Sequence, residues 1–70
     1  MAGYEIMFRG RRMMFTLDGA EALQEFAHWE SCAMHRGGAA ELRGPDGETE
    51  IRSEWDGGQC VSYSRRGARA

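Results

Sequence analysis

The sequence predicts an α+β fold in which one helix packs on one face of an antiparallel sheet of about five strands, in the chain order ββαβββ. One segment, residues 18–38, has helical periodicity with a marked beginning and end. Short segments of alternating apolar and polar residues, separated by glycine-containing turns, lie on both sides of it. An antiparallel sheet with the helix across one face buries the apolar side of every element.

The helix is the best-marked element. Asp18 is expected to cap its amino end, with Glu21 three residues later as in a capping box. Arg36 and then Gly37 mark its carboxyl end, where a cation suits the helix dipole and glycine adopts positive φ. Glu30 falls inside the apolar arc, where we expect it to pair with an arginine, because an unpaired buried carboxylate is costly. The arc consists of Ala22, Leu23, Phe26, Ala27, Trp29, Ala33 and Met34.

The strands are predicted from period-two alternation and turn residues. They cover residues 4–8, 13–17, 39–43, 49–55 and 59–64. In the second strand, Met13, Phe15 and Leu17 are expected to face the core, which turns Met14 outward together with Met7 of the first strand. The predicted inner layer places Ile6, Phe8, Phe15, Leu17, Leu42, Ile51, Val61 and Tyr63 against Leu23, Phe26 and Met34.

Seventy residues predict a single small domain over 1–70, with residues 65–70 as a frayed basic tail. A chain of this length buries only about 60% of its unfolded surface, so a homodimer is a natural source of further stability, and the face that carries Met7 and Met14 would contact the second copy. The opening residues do not look like a secretory leader, and we expect a cytoplasmic protein with two free thiols. A disulfide between Cys32 and Cys60 is the alternative.

The charge pattern is basic, acidic, basic along a chain of net charge −2. Residues 1–17 contain three arginines and one acid, residues 18–58 contain ten acids and three arginines, and residues 59–70 contain three arginines. If the two ends meet in the fold, the surface has a basic pole and an acidic pole. Such a field governs partner choice and association rate.

The leading functional hypothesis is a non-enzymatic module that binds another protein through its surface, since no catalytic motif is present in the sequence. Aromatic residues and arginine are common at interfaces, and acidic residues suit a basic partner. The turn pattern of residues 40–51 resembles that of small α+β proteins of bacteria and their phages, a resemblance that assigns no site residues. On the basis of size and surface character, one concrete form of the hypothesis is a phage-type inhibitor of a host defence complex, such as an anti-CRISPR protein. The expected partner-binding residues are Arg9, Arg11, Arg12, Glu48, Glu50, Glu54, Trp55 and Asp56.

The main alternative is nucleic-acid binding. Arginine clusters close to aromatic residues suit phosphate contacts and base stacking on single strands. The sequence pI of about 5.6 argues against this, because dedicated nucleic-acid domains are usually basic. The residues that would carry it are Arg9, Arg11, Arg12, Arg65 and Arg66.

A lesser alternative is a zinc site on the polar side of the helix. His28, Cys32 and His35 are spaced so that they form one stripe, and imidazole and thiolate are good zinc ligands. Structural zinc sites usually take paired ligands from tight turns, which this stripe does not provide. We therefore expect no metal and no other cofactor, with these three side chains on a solvated face.

Overall fold

The computed structural model describes residues 2–67 and confirms the α+β fold, with one helix packed against a five-stranded antiparallel sheet. The elements in chain order are β1 (Tyr4–Phe8), β2 (Arg11–Thr16), α1 (Gly19–Arg36), β3 (Gly38–Arg43), β4 (Thr49–Asp56) and β5 (Gln59–Arg65). The order across the sheet is β2-β1-β3-β4-β5. Each neighbouring pair is antiparallel, so β2 and β5 form the two edges.

Both predicted ends of the helix are confirmed. Asp18 has extended backbone, and its carboxylate accepts hydrogen bonds from the N–H groups of Ala20 at 2.9 Å and Glu21 at 3.4 Å. At the other end, Gly37 has a φ of 82° and its N–H donates to the Ala33 carbonyl at 2.7 Å. The reciprocal half of the capping box is absent, because the Glu21 carboxylate instead accepts from the Thr16 hydroxyl.

The core lies between α1 and the three central strands. The side chains of Phe26 on α1 and Ile6 on β1 are buried at its centre. Ala22 and Ala33 are fully buried where the helix meets the sheet, and their small side chains allow a close approach. The buried apolar residues are Ile6, Phe8, Ala22, Phe26, Ala33, Ala40, Leu42 and Ile51.

The predicted orientation of β2 is wrong. Phe15 and Leu17 are 43% and 61% exposed, whereas Met14 is half-buried against the core. Thr16 takes the inner position because its hydroxyl accepts from the Asp18 N–H at 3.1 Å and donates to Glu21, which links β2 to the start of the helix. In a strand, a shift of one residue moves every side chain to the other face. Because the hydrogen bonds of Thr16 hold it on the inner face, Met14 also faces the core and Phe15 faces away from it, which is the reverse of the prediction.

Four other predicted core residues are also exposed, at 41–56%: Leu23, Met34, Val61 and Tyr63. A helix about 10 Å wide covers two or three strands spaced roughly 4.8 Å apart. Here it contacts β1, β3 and β4 most closely, and it reaches β2 as well. The fifth strand lies beyond its width, so β5 is exposed along its whole length.

On the opposite face of the sheet, Phe15 is exposed at β2. The β4 part of that face is polar, as predicted. Arg52 forms an ion pair with Glu54 at 3.0 Å there, and Glu41 lies 3.9 Å from Arg43. Glu30, expected to have an arginine partner, is half-buried and forms no ion pair with any residue from 2 to 67.

The carboxyl-terminal segment is more ordered than a frayed tail at its start. Arg65 belongs to β5, and Arg66 donates its N–H to the Glu50 carbonyl at 2.7 Å. Residues 68–70 of the expected tail lie outside the described residues. The Cys32 and Cys60 thiols are both free. Within residues 2–67, no helix has the length and apolarity needed to cross a membrane.

Candidate interaction surface

The least covered part of the molecule is the side of β5 that faces the helix layer. An open groove of about 330 Å³ lies there, between the amino-terminal half of α1 and the end of β5. Leu42 and Ile51 contribute apolar lining from β3 and β4. The other lining residues are Tyr4, Gly19, Leu23, Pro45, Glu50, Arg65 and Arg66. We call this the α1–β5 groove.

One flank of α1 follows the groove. Leu23, Ala27, Glu30 and Met34 are separated by four, three and four residues, so they form a stripe along one side of the helix. Leu23 lines the groove itself, and Leu23 and Met34 are 49% and 41% exposed. The opposite flank carries Trp29, whose ring lies 5.2 Å from that of Phe8 on β1. The stripe is therefore the side of the helix that has no strand beneath it.

The other wall of the groove is β5. Ile51 pairs with Arg65 and Ser53 pairs with Tyr63, and paired residues project on the same face. Since Ile51 and Ser53 are buried beneath the helix layer, Tyr63 and Arg65 project into that same layer. Tyr63 is 54% exposed, and Arg65 forms no ion pair among residues 2–67. The wall thus presents an exposed aromatic ring beside a guanidinium without an acidic partner.

Arg66 is held at the end of this wall. Its guanidinium contacts Asp46 at 2.6 Å and Glu50 at 3.1 Å. The hydrogen bond from Arg66, with a second from the Glu48 N–H, lowers the pKa of the Asp46 carboxyl. The same contact raises the pKa of Arg66. These groups fasten the end of β5 to the β3–β4 turn.

Arg9, the first arginine of the cluster at residues 9–12, forms several intramolecular contacts. Arg9 has a φ of 53°, and its guanidinium donates to the Arg36 carbonyl at 2.7 Å and to the Gly37 carbonyl at 3.1 and 3.2 Å. These are the last carbonyls of the helix, so Arg9 caps it with the charge its dipole favours. Gly38 leaves room for the side chain, because a Cβ there would lie 2.8 Å from Arg9 Cγ. We call this arrangement the Arg9 clamp.

The neighbouring arginines differ from Arg9. Arg12 contacts the Glu5 carboxylate at 3.2 Å across β1 and β2, whereas Arg11 forms no ion pair among the described residues. Both are exposed at the β2 edge.

The expected basic pole does not form. Arg11 and Arg12 lie on the β2 edge, and Arg65 and Arg66 lie on or just after β5 at the other edge. Four inter-strand spacings separate the two edges, or roughly 19 Å. The two basic ends of the chain are thus on opposite sides of the sheet, each next to acidic partners.

The acidic residues on and beside β4 supply fewer unpaired charges than the sequence composition indicates. Glu50 pairs with Arg66, and Glu54 pairs with Arg52. Glu48 and Asp56 are exposed in the turns at the two ends of β4. Trp55 is half-buried against the core, and its indole N–H donates to the Ser53 hydroxyl at 2.7 Å.

Of the helix side chains proposed as zinc ligands, His28 and His35 are exposed to solvent and Cys32 is half-buried. Cys32 Sγ lies 3.9 Å from His28 Nε2, whereas the His35 ring is directed to the Ser31 carbonyl at 2.8 Å. Among residues 2–67, no three histidine, cysteine or acidic side chains come together as a metal-binding group.

The comparisons with known proteins add no family. No protein-family model matches the chain, and no curated protein or solved structure matches it either. The fold and the geometry of the α1–β5 groove therefore carry the functional argument. Of the residues that line the groove, the sequence analysis named Glu50, Arg65 and Arg66, and it assigned Leu23 to the core. It also assigned Met34 and Tyr63, on the elements beside the groove, to the core. The signal was present in the strand count, since a single helix cannot cover five strands.

Proposed function

We propose that this protein is a non-enzymatic binding module that receives a segment of a partner protein in the α1–β5 groove. The observation that carries the proposal is the exposed apolar surface at the groove and on the two elements beside it: Leu23 lines the groove, Met34 lies further along the same flank of α1, and Tyr63 lies on β5. Exposed apolar patches with a polar rim are typical of interaction sites. Of the ionisable groups that line the groove, Arg66 and Glu50 pair with each other, whereas Arg65 forms no ion pair among the described residues.

The groove also indicates what kind of segment it would accept. Apolar side chains of the partner would pack against Leu23 and the floor formed by Leu42 and Ile51. An acidic side chain would pair with Arg65, since that guanidinium forms no ion pair among the described residues. We therefore infer an amphipathic partner segment with at least one carboxylate. Arginine and aromatic residues commonly dominate the energy of such contacts.

The test uses the protein as bait in an extract of its native host, with cross-linking and mass spectrometry to identify the partner and the contact site. Leu23→Glu places a carboxylate in the groove and is expected to abolish capture. The matched control is Leu17→Glu, which changes an even more exposed leucine outside the groove. Equal capture by both variants would reject the groove as the binding site.

The inhibitor hypothesis is one member of this class. We propose it in the form of a cytoplasmic phage-type protein that blocks a host defence complex, on the basis of size and surface character. In reconstituted defence assays, we expect the native chain to block the activity of the defence complex. The Leu23→Glu variant should leave that activity unchanged. Full interference in the presence of the folded native chain would reject this form while leaving the general binding role open.

A second candidate function is single-stranded nucleic-acid binding, for which Tyr63 beside Arg65 is the supporting observation. Base stacking on an exposed aromatic ring and phosphate contact by arginine are the usual elements. The intramolecular contacts of Arg9, Arg12 and Arg66 reduce the number of free cations, and the chain is net acidic. Binding that falls steeply with salt would support this function, and no binding to RNA or DNA at about 10 mM salt, where the Debye length is ~30 Å, would reject it.

A further inference from the structure

We propose that β5 pairs with β5 of a second copy, so that two five-stranded sheets join into one antiparallel ten-stranded sheet. This inference concerns the edge of the sheet and is independent of the partner proposed for the α1–β5 groove. It also differs from the homodimer expected from the sequence, which relied on Met7 and Met14. Those two residues are half-buried within the described fold.

The first argument is the composition of the edge. Monomeric proteins protect edge strands with charged side chains, proline, bulges or a covering element. In β5, residues 59–64 contain neither charge nor proline, and the helix does not cover them. The β2 edge, in contrast, begins with Arg11 and Arg12. Each edge pairing contains one register shift, between Ile6 and Met7 for β2 and between Glu54 and Trp55 for β5. The two edges therefore differ in charge, and β5 is the less protected of the two.

The second argument is the direction of the main-chain groups. Arg66 donates its N–H to the Glu50 carbonyl, so this opposed pair is a hydrogen-bonded one. In an antiparallel ladder such pairs alternate with non-hydrogen-bonded pairs. Ser64 and Ser62 consequently direct their N–H and C=O groups toward β4, whereas Tyr63 and Arg65 direct theirs away from it. The outer edge thus offers donors and acceptors at alternate residues.

The third argument is self-complementarity. A two-fold axis at Tyr63 places Tyr63 opposite its counterpart, Arg65 opposite Val61 of the second copy, and Ser62 opposite Ser64. No like charges are opposed, and Tyr63 and Val61, which are 54% and 56% exposed, gain apolar neighbours.

The charges on β4 favour the same register. Arg52 pairs with Ser64 and Glu54 pairs with Ser62. In the Tyr63-centred register, the row that contains Arg52 of one copy continues through the two serines to Glu54 of the other. A register shifted by one residue along each strand would place the two Arg52 side chains in the same row. These charges lie three strand spacings apart, roughly 14 Å, so they give the first arrangement only a small preference.

The surface area of the monomer is consistent with a missing contact. Its accessible area is 4702 Å², compared with about 4,400 Å² expected for a folded monomer of 7.9 kDa. An interface of one strand per subunit is small, so we expect a dissociation constant in the micromolar range.

The primary test is sedimentation equilibrium of the native chain from 5 to 500 μM, and we expect a reversible monomer–dimer transition. Tyr63→Lys places two cations opposite each other and is expected to weaken the dimer at least about tenfold, or 1.4 kcal/mol. The matched control is Phe15→Lys on the β2 edge, which should dimerise like the native chain. Circular dichroism verifies that both variants are folded.

Disulfide trapping tests the register. In a Cys32→Ser, Cys60→Ser background, Ser62→Cys combined with Ser64→Cys is expected to form a covalent dimer on oxidation. Ser64→Cys alone should not, because the two residues 64 are not opposed in the Tyr63-centred register. A monomer at 500 μM, a dimer broken by Phe15→Lys but not by Tyr63→Lys, or efficient trapping by Ser64→Cys alone would overturn the proposal as stated.

Discussion

The two edges of the sheet are held by different kinds of contact. The β2 edge is joined to the helix through the Thr16–Glu21 hydrogen bond and the Asp18 cap, and Arg12 pairs with Glu5 on the neighbouring strand. None of the side chains of β5 is buried. Its main side-chain contact with the rest of the sheet is that of Arg66, just after the strand, with Asp46 and Glu50. One edge is thus part of the packed domain, whereas the other depends on β4 for its position.

This difference shows how a 70-residue chain with one helix distributes its apolar surface. The helix can bury one side of about three strands, and the strands beyond it receive little hydrophobic stabilisation. The exposed residues on β5 and on the adjacent flank of α1 are therefore available for binding. The buried side chains thus lie mainly in one half of the sheet, and the proposed interaction surface lies in the other.

The largest expected effect is the loss of stability on truncating the packed half. Ile6→Ala removes a fully buried side chain and is expected to lower the free energy of unfolding by about 3 kcal/mol. A domain of this length has roughly 4–10 kcal/mol in total. The matched change on the other half, Val61→Ala, should cost less than about 0.5 kcal/mol. Urea denaturation of both variants in the monomeric concentration range measures the contrast, and equal losses would contradict the division into two halves.

An intermediate effect is expected at the Arg9 clamp. Arg9→Ala removes the charged donors from the last carbonyls of α1 and should lower the free energy of unfolding by about 1 kcal/mol. Arg11→Ala is the control, because Arg11 is exposed on the same hairpin and forms no ion pair among residues 2–67; it should change stability by less than about 0.5 kcal/mol. Thermal denaturation followed by circular dichroism compares the two. An Arg11→Ala variant that is the less stable would show that the clamp has been misassigned.

The smallest effect is expected at Asp46, and it depends on pH. Its pKa in the folded protein is lowered below the ordinary value of 3.8, chiefly by the hydrogen bond from Arg66. The contribution of this carboxylate to stability is therefore fully present above pH 3.8 and is lost as the pH falls through the lower folded value. Asp46→Asn should be slightly less stable than the native chain at pH 7 and should approach it near pH 2. Carboxyl titration by NMR provides the direct check, and an Asp46 pKa at or above 3.8 would contradict the contact.

Much of the fold could be predicted from the sequence because its signals are local. The helix caps at Asp18 and Gly37 and the turn at 44–47 depend only on neighbouring residues. The alternation of polar and apolar residues in β4 allows only one orientation of that strand. The inward residues of β2 could not be assigned this way, because both of its faces carry apolar side chains. A hydrogen bond from Thr16 to the next element decides between them.

The candidate site was less predictable because it depends on strand order. Sequence patterns identify Tyr63 as an alternating apolar residue, and only its place on an edge strand shows that nothing covers it. The role of Arg9 depends likewise on where the hairpin meets the helix end, 27 and 28 residues away. Arg9, Arg11 and Arg12 are close in the sequence, but the contacts of their side chains are set by tertiary packing.

The contact between β1 and β3 has a consequence for the order of folding. β3, β4 and β5 are connected by short turns, whereas pairing β1 with β3 encloses the entire helix in the intervening chain. Closing a long loop costs more conformational entropy than closing a tight turn. We therefore expect the β1–β3 seam, where the Arg9 clamp lies, to form late, so that a nascent chain completes its hydrophobic core only after β3 has been synthesised.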